Sequence, residues 1–92
     1  MKIRWIRRAL LDLDDVYSYV ALDNPSAARP LVEQIEEGVA RLSQHPLMGR
    51  VGRVPETREL VMAGTPFVVV YRVEAKMLVV LTVLHGARRW PR

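Results

Sequence analysis

The fold of this chain is decided by the stretch PFVVVYRVEAKMLVVLTVL, Pro66 to Leu84. It is apolar at nearly every position and rich in β-branched residues, with one polar break at Glu74-Ala75-Lys76. This pattern predicts two antiparallel strands, Pro66 to Val73 and Met77 to Leu84, joined by a tight turn. Strands that are apolar at both alternating sets of positions are typical of a sheet covered on both faces.

Two amphipathic helices are predicted upstream of these strands. Apolar residues recur at three- and four-residue steps from about Arg8 to Leu22, with aspartates on the opposite face, and again from Pro25 to about Ser43. Asn24 and Pro25 are placed as the N-cap and first residue of the second helix. The helices therefore form a hairpin. Because a hairpin covers only one sheet face, we expect another chain, or the chain's own tail, to cover the second apolar face.

The remaining segments complete a small mixed domain. Lys2 to Ile6 alternates weakly and predicts a short first strand, and Arg58 to Met62 predicts a strand before the two apolar ones. The intervening segment Gln44 to Thr57 is predicted to be a loop from its prolines and glycines. The order β-α-α-β-β-β indicates an α+β fold in one domain, residues 1–92, with a small, mostly antiparallel sheet and the helical hairpin packed on one face.

Basic residues are concentrated in the second half of the chain. Residues 1–43 carry six cations and seven anions, whereas residues 44–92 carry eight cations and three anions. Twelve of the 14 cations are arginine, whose planar guanidinium binds phosphate or carboxylate at two points. An anionic partner is therefore expected: nucleic acid, an acidic protein segment, or both.

Cysteine content and hydropathy exclude several classes of protein. The chain has no cysteine, which excludes a disulfide framework and a thiolate metal site and makes the cytoplasm the expected location. No apolar run approaches the length of a transmembrane helix. Three aspartates near the N-terminus also disagree with a signal peptide: Asp12, Asp14 and Asp15. We expect no membrane association, no metal and no cofactor.

Motifs spread over nearly the whole chain resemble one family. They are the helix pattern Ala9 to Val20, the turn Asn24 to Ala28, and the segments His45 to Arg50, Thr57 to Val61, Gly64 to Pro66, Tyr71 to Val73 and Val83 to Pro91. In order and spacing they are similar to the RelE/ParE superfamily, the toxin halves of bacterial type II toxin-antitoxin pairs. The resemblance implies the fold derived above and a cognate antitoxin, bound in a heterodimer or heterotetramer. It also implies contact with operator DNA only through that antitoxin.

The family that this chain resembles divides by target. One branch cuts messenger RNA in the ribosome, and the ParE-like branch inhibits DNA gyrase without being a nuclease. Metal-free RNA cleavage needs an acid, a base and fixed cations around the phosphate. If this chain is such an endoribonuclease, the candidate catalytic residues are His85, Arg72 and Arg88.

Two departures from the RNA-cutting pattern favour gyrase as the target. On the penultimate strand, that branch typically has an arginine after the opening aromatic residue, where this chain has Val68. Near the C-terminus it often has a tyrosine or lysine, where this chain has Trp90, which does not exchange a proton usefully. We therefore interpret the tail as a docking surface and keep ribosome-dependent mRNA cleavage as the alternative. A third hypothesis is a member without toxicity that acts only in repression with its antitoxin.

The sequence also predicts two sets of binding residues. Candidates for contact with the target or another anion are Arg50, Arg53, Arg58, Arg88, Arg89 and Trp90. Candidates for contact with the antitoxin are Val68, Val70, Arg72, Val79 and Leu81. Structural alternatives exist, since loop arginines often only solvate a surface, Arg72 can pair with Glu74, and Trp90 can fold back on the sheet. By their spacing, Trp5 and Tyr17 are predicted to be core residues.

Overall fold

The computed structural model of the chain describes residues 1–86 and Trp90. Its elements are β1 (Lys2–Trp5), α1 (Arg7–Asp23), α2 (Pro25–Arg41), β2 (Arg50–Val51), β3 (Arg58–Val61), β4 (Phe67–Glu74) and β5 (Met77–His85). The predicted α+β fold with a helical hairpin is confirmed. Strand β2 has no counterpart in the prediction, because two residues are too few to show a period.

The strands form one five-stranded sheet with the spatial order β1-β5-β4-β3-β2. Most neighbours are antiparallel, but β1 lies parallel to β5, with Trp5 opposite Val80. Of the strands that the structure describes, the first and last in the sequence are therefore hydrogen-bonded neighbours. The β4–β5 pairing shifts by one residue between Val70 and Tyr71, which makes Leu81 the additional residue of a β-bulge on β5.

The two helices are separated by the single residue Asn24. Helix α2 begins at Pro25 with Asn24 in the N-cap position, as predicted. The Asn24 side chain does not cap a helical N–H and instead accepts a hydrogen bond from Ser26 Oγ at 3.0 Å. Among the described residues, no helix is both long enough and apolar enough to span a bilayer.

The core lies between the helical hairpin and one face of the sheet. Its buried cluster consists of Ala9, Leu13, Val16, Val32, Ile35, Val39, Leu42, Met62, Phe67, Val69, Tyr71, Leu78, Val80 and Val83. Fully burying a side chain of valine or leucine size contributes about 1.5 to 3 kcal/mol. This cluster therefore holds the hairpin against the sheet and fixes the positions of the loops at both ends.

The two aromatic residues predicted to be in the core differ in position. Trp5 packs against the edge of the buried cluster. The prediction for Tyr17 is wrong, because its side chain is 40% exposed and has the Arg29 guanidinium 5.7 Å from its ring centroid. The buried arc of α1 is centred on Ala9, Leu13 and Val16, so Tyr17 falls beside this arc rather than in it.

Candidate functional site

His85 ends β5 beside an open groove of about 420 Å³. Its imidazole is exposed and contacts the ring of Phe67 edge-on, with the ring centroids 5.8 Å apart. Among the described residues, the carboxyl groups that line this groove belong to Asp12 and Asp15 on α1. Asp12 is buried and lies beside Arg8, but Asp15 is exposed, and its carboxylate disfavours a polyanion in this part of the groove.

The structure does not bring His85 and Arg72 together. His85 pairs with Phe67 at the beginning of β4, whereas Arg72 pairs with Val79 near the other end of that strand. Five residue steps separate Phe67 from Arg72, which is about 17 Å at roughly 3.4 Å per residue. An odd number of steps also places the side chains of Phe67 and Arg72 on opposite faces of the sheet. His85, whose ring contacts Phe67, lies on the Phe67 side. The two residues therefore cannot contact the same phosphate group.

The C-terminal part of the predicted target-binding set is only partly described. Arg88 and Arg89 lie outside the described residues, so their catalytic and target-binding roles stay predictions. Trp90 is half-buried. Its role in docking also stays a prediction.

A buried carboxylate on α1 holds the end of β5. Asp12 is 3% exposed, and its Oδ2 accepts hydrogen bonds from the hydroxyl of Thr82 and from the N–H of Val83, the latter at 3.0 Å. These residues lie beyond the end of β1, where the carboxylate takes the place of a strand partner. The sequence analysis predicts that the aspartates lie on the polar face of α1, which is wrong for Asp12. Its helical spacing from Ala9 and Val16 places it on the buried face, and this spacing is the signal that could have identified it.

The loop arginines pair with one buried glutamate on β3. Glu59 is 3% exposed, and its Oε1 accepts hydrogen bonds from Arg50 Nε at 3.1 Å and Nη2 at 2.8 Å. Its Oε2 accepts from the backbone N–H of Arg53 at 3.3 Å, and the Arg53 Nε lies 3.6 Å away. Both arginine side chains stay more than half exposed. Arg50 and Arg53 therefore fasten the β2–β3 hairpin, while their contact with an anion or target stays a prediction.

Arg58 and Tyr71 fix the loop that precedes β2. Arg58 Nη1 donates to the carbonyl oxygens of Leu47 at 3.3 Å and Gly49 at 2.8 Å. The buried Tyr71 hydroxyl donates to the carbonyl of Pro46 at 2.7 Å and accepts from the N–H of Gly49 at 2.9 Å. A Cβ atom at Gly49 would lie 2.6 Å from that hydroxyl oxygen, so a side chain at this position would displace it. The loop is thus held firmly on the strands.

The Glu59 carboxylate makes stability depend on pH. Burial acts to raise the pKa of Glu59, but the hydrogen bonds from Arg50 and Arg53, together with their charges, lower this pKa below its ordinary value of 4.5. A carboxyl whose pKa is lowered in the folded state contributes stability above the unfolded-state pKa. This contribution is lost as the pH falls below 4.5 and through the folded-state pKa.

We expect Glu59→Gln to lower the free energy of unfolding by about 1 kcal/mol at neutral pH, because water screens the two exposed arginines. The difference from wild type should shrink in acid, since the wild-type carboxylate is then protonated. Urea unfolding at neutral pH and well below pH 4.5 measures both values. The matched control is Glu33→Gln on the exposed face of α2, which should leave the pH dependence unchanged. An equal difference at every pH would contradict the assignment.

The sequence from residue 3 to residue 90 matches the family described as the ParE toxin of the type II toxin-antitoxin system parDE. This chain belongs to the ParE toxin family. Among its relatives, toxin Y4kP of Sinorhizobium fredii is 41% identical over 91 residues, covering 99% of this chain and 94% of the relative. Toxin RelE2 of Caulobacter vibrioides is 29% identical over 87 residues, covering 95% and 97% respectively.

Solved structures of toxin-antitoxin proteins share the fold of this ParE-family toxin. A chain of the chromosomal ParDE system from P. aeruginosa has a TM-score of 0.87 at 32% identity, covering 92% of this chain and 95% of that chain. A chain of the intact E. coli RelBE toxin-antitoxin complex has a TM-score of 0.69 at 16% identity, covering 95% and 98%. At that lower identity the likeness shows the fold alone.

The predicted antitoxin-binding residues of this ParE-family toxin lie mainly on the sheet face away from the helices. Val68, Val70 and Arg72 alternate with the core residues of β4, and Val79 lies opposite Arg72. The three valines are already 8%, 0% and 5% exposed without a second chain, Leu81 is partly exposed, and Arg72 is exposed. The chain therefore covers most of this apolar face itself, and contact of these residues with an antitoxin stays a prediction.

Proposed function

We propose that this ParE-family toxin is neutralised by a cognate antitoxin and acts by binding and inhibiting DNA gyrase. Family membership and the fold shared with a chain of the ParDE system support the antitoxin. On this proposal the two proteins form a heterodimer or heterotetramer. Operator DNA is contacted through the antitoxin alone. On this proposal the toxin needs a docking surface for gyrase and no catalytic residues.

The separation of His85 from Arg72 is the main observation that favours gyrase, rather than RNA, as the target. General acid–base cleavage of RNA requires the proton-transfer residue and the cations at one phosphate, and these two residues lie at opposite ends of the β4–β5 strand pair. The surroundings of Val68 add to this argument. Its cross-strand neighbours are Val61 and Leu84, so this position, where the RNA-cutting branch typically has an arginine, is apolar.

The test uses purified toxin in two assays, gyrase supercoiling and mRNA cleavage on translating ribosomes. We expect inhibition of supercoiling and intact mRNA. In the same assays, His85→Ala should keep its inhibition of gyrase, because docking requires no proton transfer. If the toxin cuts RNA instead, removal of an acid–base residue should lower the cleavage rate by about 100-fold or more.

Three results would contradict the proposal. Cleavage of mRNA that depends on His85 would show the alternative, a ribosome-dependent endoribonuclease. Supercoiling that is unaffected by saturating toxin would remove gyrase as the target. Failure of the toxin to form a complex with the antitoxin encoded beside it would remove the toxin-antitoxin assignment itself.

A further inference from the structure

Three exposed apolar side chains line one groove at the end of the sheet away from His85. The loop groove, as we call it, has a volume of about 440 Å³ and is lined by Leu47, Val51, Glu56, Thr57, Arg58, Arg72, Val73 and Glu74. Leu47, Val51 and Val73 are 66%, 77% and 37% exposed. Exposed apolar side chains that share one groove are a candidate contact surface for a partner.

The loop groove is held in shape before any partner binds. The main chain around Leu47 is fixed by the hydrogen bonds of Tyr71 to Pro46 and Gly49 and by those of Arg58 to the Leu47 and Gly49 carbonyls. A contact surface that is already ordered binds more tightly, because little conformational entropy is lost on association. The groove is therefore ordered before a partner binds.

Arg58 places a positive charge in the loop groove that no carboxylate of the described residues neutralises within 4 Å. Its Nη1 contacts only main-chain carbonyls, which leaves its Nε and Nη2 hydrogens available. The other lining arginine, Arg72, already forms an ion pair with Glu74. A half-buried guanidinium held in place beside apolar side chains is suited to receive a carboxylate.

The lining favours a polypeptide over a nucleic acid as the occupant. Leu47, Val51 and Val73 offer apolar area but no ring on which a base can stack. Glu56 also lines the groove, and its carboxylate repels a chain of phosphates more strongly than it repels a single acidic side chain. Glu74 adds nothing to this repulsion, because it is paired with Arg72. A peptide segment that carries one acidic side chain between apolar ones satisfies both the arginine and the apolar walls.

We propose that the loop groove is the surface by which the toxin binds its gyrase target, and that it receives a gyrase segment with an acidic side chain flanked by apolar ones. This inference rests on the gyrase function proposed above and names the contact that this function requires. It assigns the apolar contact to Leu47 and Val51 and the charged contact to Arg58.

The test introduces a carboxylate at each exposed apolar residue, as Leu47→Asp and Val51→Asp, and measures inhibition of supercoiling. Each change puts a charge against an apolar partner surface, so the toxin concentration needed for half inhibition should rise at least about tenfold. The matched control is Leu22→Asp on α1, a leucine that is 88% exposed and outside the groove. It should inhibit as the wild type does. Arg58→Gln should weaken inhibition as well, with circular dichroism to show that the loop variant is folded.

The measurement separates this inference from the proposed function. Inhibition by the wild type that Leu47→Asp and Val51→Asp leave unchanged would overturn the loop groove while gyrase stays the target. Absence of inhibition by the wild type would overturn both. Antitoxin affinity of the same variants, measured by titration calorimetry, should equal that of the wild type. A tenfold loss of antitoxin affinity with unchanged inhibition would assign the groove to the antitoxin instead and overturn the inference.

Discussion

Asp12→Ala should lower the free energy of unfolding by about 2 to 5 kcal/mol, the largest effect we expect from a single polar side chain. The change removes the acceptor of two buried donors, the hydroxyl of Thr82 and the N–H of Val83. Each orphaned buried donor costs about 1 to 3 kcal/mol. Domains of this size are stable by only about 5 to 15 kcal/mol, so the variant should be close to unfolding at physiological temperature.

Thermal unfolding of the wild type and three variants tests this expectation. Asp12→Asn keeps a carbonyl oxygen that accepts hydrogen bonds, so its Tm should lie between those of the wild type and Asp12→Ala. The matched control is Asp15→Ala, an exposed aspartate on the same helix, whose Tm should change by only a few degrees. If Asp12→Ala and Asp15→Ala unfold at the same temperature, the carboxylate does not hold the end of β5.

Tyr71→Phe should lower the free energy of unfolding by about 1 to 3 kcal/mol and loosen the loop before β2. The aromatic ring stays in the core, so only the hydroxyl contacts are lost. Those contacts satisfy the carbonyl of Pro46 and the N–H of Gly49. Hydrogen exchange of the Gly49 amide should quicken more than that of the amides in the centre of β4, because the loop opens without unfolding of the sheet.

Tyr71→Phe should also change how the free energy of unfolding depends on pH in alkaline solution. Burial raises the pKa of Tyr71 above its ordinary value of 10.0, against the opposing effects of the Gly49 hydrogen bond and the charge of Arg58. A tyrosine whose pKa is raised in the folded state contributes stability at pH values below the unfolded-state pKa. This stability is lost as the pH rises through and beyond 10.0. Tyr71→Phe should lack that alkaline loss. Tyr19→Phe, at a tyrosine that is 63% exposed, is the control and should behave as the wild type at every pH.

Local signals made most of the fold predictable from the sequence. The start of α2 follows from Asn24 and Pro25, which act within one turn of the chain. Strands β4 and β5 follow from their composition and from the short turn between them. The parallel placement of β1 beside β5 was not predictable in this way, because it joins residues at the two ends of the sequence and leaves no local pattern.

The candidate site was harder to predict than the fold, since its contacts join distant parts of the sequence. Asp12 and Thr82 are 70 residues apart, so the helical pattern alone gives no partner for the aspartate. Arg50 and Arg53 have the composition of an anion-binding loop, but the structure places Glu59 between them. His85 and Arg72 are both polar residues on apolar strands, and only the strand register shows how far apart they lie.

The pairing of β1 with β5 affects how the toxin folds during its synthesis on the ribosome. Strand β5 lies between β1 and β4 in the sheet, yet it is synthesised after the other four strands of that sheet. Until it emerges from the exit tunnel, the nascent chain has helices without a complete sheet to pack on, and contacts between distant residues form late. Folding of the sheet is therefore postponed until β5 has been synthesised, and a polypeptide cut short before β5 should be harmless to the cell that makes it.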